Sequence, residues 1–295
     1  MDTVKKSKQS LKIINGSNAD YKNYPFFGIL YIDDFGSCGS SYIGGPYNAV
    51  ITAAHCLVDI NGIPVDKTKV KIGFLQSRLS IPNFMYNVSK VIIHPYYNNK
   101  TADNDIAILY LSTKPNVAIT PLKIPSREQA FEFIKPSRPV EVIGFCLACV
   151  NCNIQPYSQN NLIFHKTSMS ADDIIENFNY KQHKSTPIVS QVMRKGLINM
   201  VSKIPSKYNL YLPGEITPRM ILAGKFNVYA NPIDNVDASQ GDSGGPLLYN
   251  YKGTYQLIGL VSWGKGSGVT GYPTVYTYVN YFRNWIKKKT NIYYL

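Results

Sequence analysis

Three short motifs contain residues whose types are suited to nucleophilic chemistry. They are TAAHC, which contains His55, DNDIAIL, which contains Asp105, and GDSGGPL, which contains Ser243. A serine hydroxyl is a weak nucleophile at neutral pH, so it needs a neighbouring base to remove its proton. The imidazole of a histidine has a pKa suited to taking and returning that proton. If the fold brings them together, these three side chains are sufficient for nucleophilic catalysis.

The motifs and their order along the chain resemble those of the trypsin/chymotrypsin family of serine proteases. Histidine, aspartate and serine follow one another in that order, which differs from the order in subtilisins and α/β-hydrolases. The resemblance implies that His55 is the general base, that Asp105 orients its imidazole, and that Ser243 is the nucleophile. It also implies an oxyanion hole made by the backbone N–H groups of Gly241 and Ser243. We therefore expect a serine endopeptidase that works through an acyl-enzyme.

Two functions of other classes compete with this interpretation. A non-catalytic homologue keeps the protease fold and uses the cleft to bind a partner, but such proteins usually lack a triad member, and all three are present here. A nucleic-acid-binding protein is suggested by the formal net charge of +13. However, the lysines and arginines are scattered and no groove-reading motif is present. We expect protein or peptide substrates and no nucleic-acid partner.

The family resemblance also implies a primary specificity pocket. Asp237, six residues before the serine, corresponds to the pocket floor, where a buried carboxylate selects Lys or Arg in the substrate. Ser262, Trp263 and Gly264 correspond to the segment that pairs with the substrate backbone and walls the pocket. Thr274 stands where trypsins carry glycine, and its branched side chain could shorten the pocket or shield the carboxylate. The sequence thus predicts cleavage after Lys or Arg.

The sequence around Lys12 resembles the activation site of the family. Cleavage after Lys12 would free an apolar amino terminus at Ile13, and the new ammonium would pair with Asp242 beside the nucleophile. We therefore expect a zymogen in which residues 1–12 are a propeptide or N-terminal extension. Its partners would include an activating protease and protein inhibitors. The alternative is that residues 1–12 are only a frayed basic terminus.

The five cysteines fall into two groups. The resemblance pairs Cys38 with Cys56 in a disulfide beside the histidine, which indicates folding in an oxidising compartment. Cys146, Cys149 and Cys152 are spaced like half of a zinc site, but no second CxxC lies nearby. A local disulfide with one spare thiol is the better interpretation. We expect no metal and no cofactor.

Composition and length are those of a globular protein. With 295 residues, 44% of them hydrophobic and 17% charged, the chain can bury a full core. No apolar run is long enough for a membrane span, so we expect no membrane association. Residues 1–12 lack the apolar stretch of a secretory signal. The resemblance and the expected disulfide nevertheless favour a secreted protein.

Short apolar and β-branched runs, separated by Gly, Pro, Asn and Asp, predict strands along most of the chain. With the resemblance, they predict an all-β fold of two six-stranded antiparallel β-barrels followed by a C-terminal α-helix at Val279–Thr290. We expect one peptidase domain over residues 13–295, with residues 146–205 as an elaborated loop that contains a helix at Ser170–Asn177. The predicted strands are Phe26–Ile32, Ala49–Thr52, Val70–Gly73, Val88–His94, Ile106–Leu111, Val140–Ile143, Pro246–Tyr249, Leu257–Ser262 and Thr274–Tyr278.

Overall fold

The structure is a computed structural model that describes most of the chain outside its central segment. The described residues are 13, 15–33, 35–74, 84–116, 119–144, 147–148, 188–189, 193–207, 209–225, 235–239, 241–266 and 268–293. The predicted helix at Ser170–Asn177, the three clustered cysteines and Lys12 lie outside these residues. Within them, no helix has the length and apolar character needed to cross a bilayer.

The first barrel is closed by six antiparallel strands. Its strands are β2 (Phe27–Ile32), β3 (Phe35–Gly44), β4 (Ala49–Thr52), β5 (Val70–Phe74), β6 (Phe84–Ile93) and β7 (Ala107–Leu111), and a short β1 (Ser17–Asn18) precedes them. They are hydrogen-bonded in the order β2-β3-β4-β7-β6-β5. Branched side chains such as Leu30, Ile51, Ile72 and Ile108 are fully buried in its core, as expected for residues that pack well on a pleated surface.

The second barrel contains another six strands. They are β8 (Pro139–Gly144), β11 (Arg194–Val201), β12 (Met220–Gly224), β13 (Pro246–Tyr251), β14 (Thr254–Trp263) and β15 (Thr274–Tyr278); β9 (Leu147–Ala148) and β10 (Ile188–Val189) form a separate two-stranded ribbon. The order β11-β12-β15-β14-β13-β8 closes on itself because β8 also pairs with β11, and β1 adds to the edge of β11. The predicted two-barrel fold is therefore confirmed.

Strand β11 is a difference from the sequence analysis, which placed it inside the loop at 146–205. Gly196, Ile198 and Met200 are buried, while Leu197 and Asn199 between them are exposed. This alternation is the period-two pattern of a half-buried strand. The polar residues that precede it in the sequence hid the pattern, so the barrel extends further into this segment than predicted.

Two α-helices lie within the described residues, one after the connection between the barrels and one at the end of the fold. Helix α1 (Arg127–Phe133) follows the connection between the barrels and begins with a capping box, in which Ser126 and Gln129 bind each other's backbone N–H groups. Helix α2 (Arg283–Thr290) ends the fold. The predicted helix at Val279–Thr290 is thus shorter than expected, because its first four residues form a 3₁₀ turn.

Candidate active site

His55 and Asp105 form a hydrogen-bonded pair at the end of the first barrel. β4 and β7 are antiparallel neighbours with Thr52 opposite Ala107. The turn after β4, which contains His55, and the segment before β7, which contains Asp105, therefore meet at the same end of the barrel. The His55 side chain has 7% of its surface exposed, and its Nδ1 lies 2.8 Å from Asp105 Oδ2. The backbone N–H of His55 donates to Asp105 Oδ1 at 2.9 Å. The aspartate is therefore held by two bonds from one residue.

Asp105 is buried as a carboxylate rather than as a neutral acid. Burial acts to raise its pKa, but the charge of His55 and hydrogen bonds from His55 and Ser262 hold the pKa below its ordinary value. Ser262 Oγ donates to Asp105 Oδ2 at 2.5 Å, and Thr277 Oγ1 donates to the carbonyl oxygen of Asp105 at 2.7 Å. A carboxylate only accepts, so Nδ1 of the imidazole carries the proton and Nε2 is left as an acceptor.

Backbone contacts hold Ser243 at this end of the first barrel. The N–H of Gly39, in β3, donates to the carbonyl oxygen of Ser243 at 2.7 Å. Gly244 has a φ of +73°, and a Cβ at this position would overlap Thr52 Oγ1 and the carbonyl oxygen of Gly39. Glycine is therefore required for the serine turn to pack this closely against β4.

The predicted disulfide between Cys38 and Cys56 is present, with a Cα–Cα distance of 6.3 Å. Cys38 precedes Gly39 and Cys56 follows His55, so the bridge ties the strand that holds Ser243 to the turn that holds the histidine. Within the described residues, the one cluster of possible metal ligands is Cys38, His55 and Cys56. Both sulfurs are in the disulfide, so they offer no thiolate to a metal.

The turn around Ser243 presents two N–H groups. In the described part of the chain, no acceptor binds the N–H groups of Gly241 and Ser243, whereas the N–H of Asp242 donates to the carbonyl oxygen of Ser239 at 3.0 Å. Ser243 Oγ likewise has no hydrogen bond to a described residue, His55 included. Catalytic hydrogen bonds are often long before substrate binds. Two N–H groups on either side of Asp242, neither bound to a described acceptor, are the kind of donors that can bind an oxyanion.

Asp242 and Ile13 are both buried beside the second barrel. The Asp242 carboxylate is fully buried, and its Oδ2 accepts from the N–H of Ser239 at 2.9 Å. A Cβ on Gly144 would overlap this carboxylate, so glycine provides its space. Ile13 is 1% exposed and packs in the same core cluster as Val236. The two residues predicted to act in activation are therefore placed inside the protein.

Asp237 is a second fully buried aspartate. It accepts hydrogen bonds from Thr274 Oγ1 at 2.7 Å, from the N–H of Ala238 at 3.0 Å and from the N–H of Gly268 at 3.1 Å. Burial raises the pKa of Asp237 to about 7, although these donors act to lower it. Thr274, predicted either to shorten the pocket or to shield the carboxylate, thus binds the carboxylate with its hydroxyl.

Trp263, the last residue of β14, lies beside a group of aromatic and charged residues that the sequence analysis missed. Trp263 packs edge-on against Tyr211, with ring centroids 5.3 Å apart. The ammonium of Lys265 lies 5.3 Å from the centre of the Tyr211 ring and 2.6 Å from Glu215. A Cβ on Gly264 would lie 3.3 Å from the carbonyl oxygen of Gly266. No sequence motif marks Tyr211, Lys265 or Glu215.

A salt bridge between the barrels also went unpredicted. Asp103, two residues before Asp105, accepts from Arg219 Nε at 2.7 Å and Nη2 at 2.6 Å, and from Thr217 Oγ1 at 2.9 Å. Burial acts to raise the pKa of Asp103, but the bonds from Arg219 and Thr217 hold it below its usual value. The bidentate pair joins the loop that carries Asp105 to the start of β12.

The two barrels, the buried His–Asp pair and the glycine-rich serine turn define the fold of a trypsin-like serine protease. The sequence pattern of the trypsin family matches residues 13–148 and 150–286. The chain is 30% identical over 284 residues to transmembrane protease serine 11A of Homo sapiens. That match covers 95% of this chain and 56% of the human protein. It is 27% identical over 289 residues to urokinase-type plasminogen activator of Gallus gallus, at 95% and 58% coverage.

A third relative is the suppressor of tumorigenicity 14 protein homolog of Bos taurus, which is 29% identical over 290 residues, or 95% of this chain and 28% of that protein. The chain thus spans less than two thirds of the length of each of these relatives. With the family pattern matching nearly the whole chain, the chain belongs to the trypsin family of serine proteases.

Proposed function

We propose that this chain is a serine endopeptidase that cuts peptide bonds after Lys or Arg, with His55, Asp105 and Ser243 as its triad. The observation that carries the proposal is the buried imidazole–carboxylate pair, in which both Asp105 oxygens accept from His55 and the pKa of the carboxyl is lowered. This arrangement leaves Nε2 as a free base, which is the property that a serine nucleophile needs.

In this proposal the reaction has two stages, acylation and deacylation. His55 Nε2 takes the proton of Ser243 Oγ as the oxygen attacks the scissile carbonyl carbon, and Asp105 stabilises the imidazolium that forms. The N–H groups of Gly241 and Ser243 bind the oxyanion of the tetrahedral intermediate. The imidazolium then gives its proton to the leaving amine, which produces the acyl-enzyme and the first product. Water, deprotonated by the same imidazole, attacks the ester and releases the acid.

Substrate choice in this proposal depends on Asp237. Its carboxylate is fully buried, and the donors that bind it in the described part of the chain are neutral, so a Lys ammonium or Arg guanidinium that enters the pocket would supply the missing positive charge. That charge lowers the pKa of Asp237 and fixes it as an anion. Thr274 keeps one oxygen of the carboxylate hydrogen-bonded, and the other faces the N–H of Gly268.

Activation is the third part of the proposal. The peptidase domain is residues 13–295, with an elaborated loop within 146–205 and with residues 1–12 as the propeptide. A protease cuts after Lys12, and the ammonium of Ile13 pairs with Asp242, which orders the serine turn. The burial of both Ile13 and Asp242 supports this step. The disulfide between Cys38 and Cys56 supports folding in an oxidising compartment and thus secretion.

Limited digestion of the purified chain with trypsin tests the whole proposal. We expect a new amino terminus at Ile13, and turnover of Lys and Arg ester substrates only after the cut. Ser243→Ala should be cut at the same site but lose at least about 10⁴-fold in kcat, and Lys12→Gln should resist activation. Turnover only after other residues would contradict the Lys/Arg preference. A complete absence of turnover would favour the non-catalytic homologue.

A further inference from the structure

A cavity of about 490 Å³ lies between the connection that joins the barrels, the β13–β14 hairpin and the start of α2. None of the residues of the proposed active site lines it. Its walls combine polar and apolar surface, and three of the side chains that line it are positively charged. The cavity is therefore a separate site, and its chemistry has to be explained on its own.

Three cations line the cavity, and each comes from a different element. Lys123 lies in the inter-barrel connection, Lys252 in the β13–β14 turn, and Arg283 at the first position of α2. Among the described residues, none of the three forms a salt bridge. The nearby acid is Glu128, which accepts from Ser126 Oγ at 2.8 Å. The cavity therefore combines three positive charges with one neighbouring carboxylate that is already hydrogen-bonded.

The backbone fixes Lys252 in its position. Tyr251 pairs with Thr254 across the turn, which leaves a two-residue loop. Lys252 and Gly253 have φ values of +51° and +80°, as in the type I′ turn that suits the twist of a hairpin. This lysine therefore projects from a tight turn, although its side chain is exposed.

Two polar side chains of the cavity lining have hydrogen-bonding atoms without a partner in the described part of the chain. Gln256, on β14, has no side-chain hydrogen bond to a described residue, and its amide is open to the cavity rather than sealed in the core. Arg283 Nε is buried and also unbonded. The Gln256 amide can donate to and accept from a ligand that enters the cavity, and the Arg283 guanidinium supplies a positive charge. The lining therefore suits a ligand with acceptor atoms and negative charge.

We propose that this cavity binds a sugar that carries a phosphate or sulfate ester. The ester oxyanion lies among Lys123, Lys252 and Arg283, whose guanidinium matches the geometry of such a group. The remaining volume holds the sugar, whose hydroxyls bond with Gln256 and Thr254. A phosphorylated sugar and the end of a sulfated glycan share this chemistry. The site differs from the exposed lysines at Lys287–Lys289, which lie outside the cavity.

Calorimetric titration of the full chain with glucose 6-phosphate, glucose 6-sulfate and glucose tests this proposal. We expect saturable binding of at least one ester and none of glucose, and the tighter ester identifies the source of the ligand. Lys252→Gln and Arg283→Gln should each weaken binding about tenfold, as expected for the loss of one charged hydrogen bond. Lys288→Gln makes the same charge change outside the cavity and should leave binding unchanged.

Three results would overturn the site: no saturable binding of either ester, equal binding of glucose, or an equal loss in Lys288→Gln. Gln256→Glu adds a negative charge inside the cavity and should abolish binding, and thermal unfolding checks that it folds. If it does not fold, Lys252→Gln in the exposed turn decides the question. The titrations use the Ser243→Ala protein, so their outcome is independent of whether the chain is a protease.

Discussion

Asp105 and Asp237 are both buried, with 1% and 0% of their surface exposed, yet their pKa values move in opposite directions. Burial acts to raise the pKa of each. Asp105 has the imidazole of His55 against it, and the charge and hydrogen bonds of that group bring its pKa below the ordinary value. Within the described residues, Asp237 is bound by the Thr274 hydroxyl and by backbone N–H groups but by no charged group, and burial raises its pKa to about 7.

The difference shows what neutral hydrogen bonds can do for a buried charge. The neutral donors around Asp237, three of them at 2.7 to 3.1 Å, do not offset its desolvation, whereas the ionisable His55 does so for Asp105. A carboxylate with a cation of the chain against it keeps a lowered pKa. The raised pKa of Asp237 is consistent with the proposal that its cation comes from the substrate.

Replacing Asp105 should have the largest effect. In Asp105→Asn the amide can donate to Nδ1, which favours the wrong tautomer and leaves the imidazolium without its counter-charge. We expect kcat to fall about 10⁴-fold on ester substrates at neutral pH, with little change in KM. Steady-state assays of the activated protein measure this. A kcat of Asp105→Asn within tenfold of the parent value would contradict this prediction, because the buried carboxylate would then have no role in catalysis.

The inter-barrel salt bridge should have a smaller effect. Arg219→Gln removes both bonds to Asp103 and loosens the loop that positions Asp105, so we expect about a tenfold loss in kcat at unchanged KM. Arg219→Lys should recover only part of the lost kcat, since a lysine cannot bind both carboxylate oxygens in the same way. Lys195→Gln is the matched control, because it breaks a more exposed ion pair with Glu141 at 3.4 Å. Equal activity in Arg219→Gln and the control would contradict a positioning role.

The two aspartates should make the free energy of unfolding depend on pH in different ways. The folded-state pKa of Asp237 is raised, so its ionisation destabilises the fold increasingly as the pH rises from about 4 to about 7. Relative to its parent, Asp237→Asn should therefore gain at least about 1 kcal/mol in free energy of unfolding over that range and stay level above it.

Asp105→Asn provides the contrast in the same experiment. The folded-state pKa of Asp105 is lowered, so its contribution is fully present above the unfolded pKa and is lost only in more acidic solution. The destabilisation caused by Asp105→Asn should therefore shrink as the pH falls below about 4. Urea unfolding in the Ser243→Ala background avoids self-digestion. A destabilisation that grows as the pH falls below about 4 would contradict the lowered pKa of Asp105.

The smallest expected effect belongs to Thr274. Thr274→Val keeps the shape but removes the hydroxyl that donates to Asp237 Oδ1, so the pKa of Asp237 should rise further, by less than about one unit. Binding of benzamidine, an aromatic amidinium, should strengthen about tenfold per pH unit up to about pH 7 in the parent. In Thr274→Val the affinity for benzamidine should reach its maximum at a higher pH than in the parent. An unchanged or lower midpoint would show that the hydroxyl does not stabilise the anion.

Local strand patterns, together with the resemblance of short motifs to the trypsin family, predicted both barrels, the disulfide and the neighbourhood of His55 and Asp105. Strand periodicity and short motifs are properties of adjacent residues, so they can be read without the fold. The bridge between Asp103 and Arg219 joins residues 116 positions apart, and it depends on how the two barrels pack. Asp103 is the first residue of the DNDIAIL motif, but the family resemblance assigns a role only to Asp105.

Thr274 and β11 show two further limits. The sequence identified Thr274 as unusual for the pocket, but only the geometry shows that its hydroxyl binds the carboxylate. β11 was hidden because polar residues precede its alternating pattern and a glycine occupies one of its buried positions. The capping box at Ser126 was a readable signal for α1 that the sequence analysis did not use.

Hydrolysis of two matched peptides tests the central claim most directly. One carries Arg at the cleavage position and the other citrulline, which has nearly the same shape without the charge. The activated protein should show a kcat/KM at least about 100-fold higher for the Arg peptide, and Asp237→Asn should bring the two values together. Equal hydrolysis of both peptides by the parent, or an Arg preference that survives in Asp237→Asn, would contradict the claim that Asp237 takes its cation from the substrate.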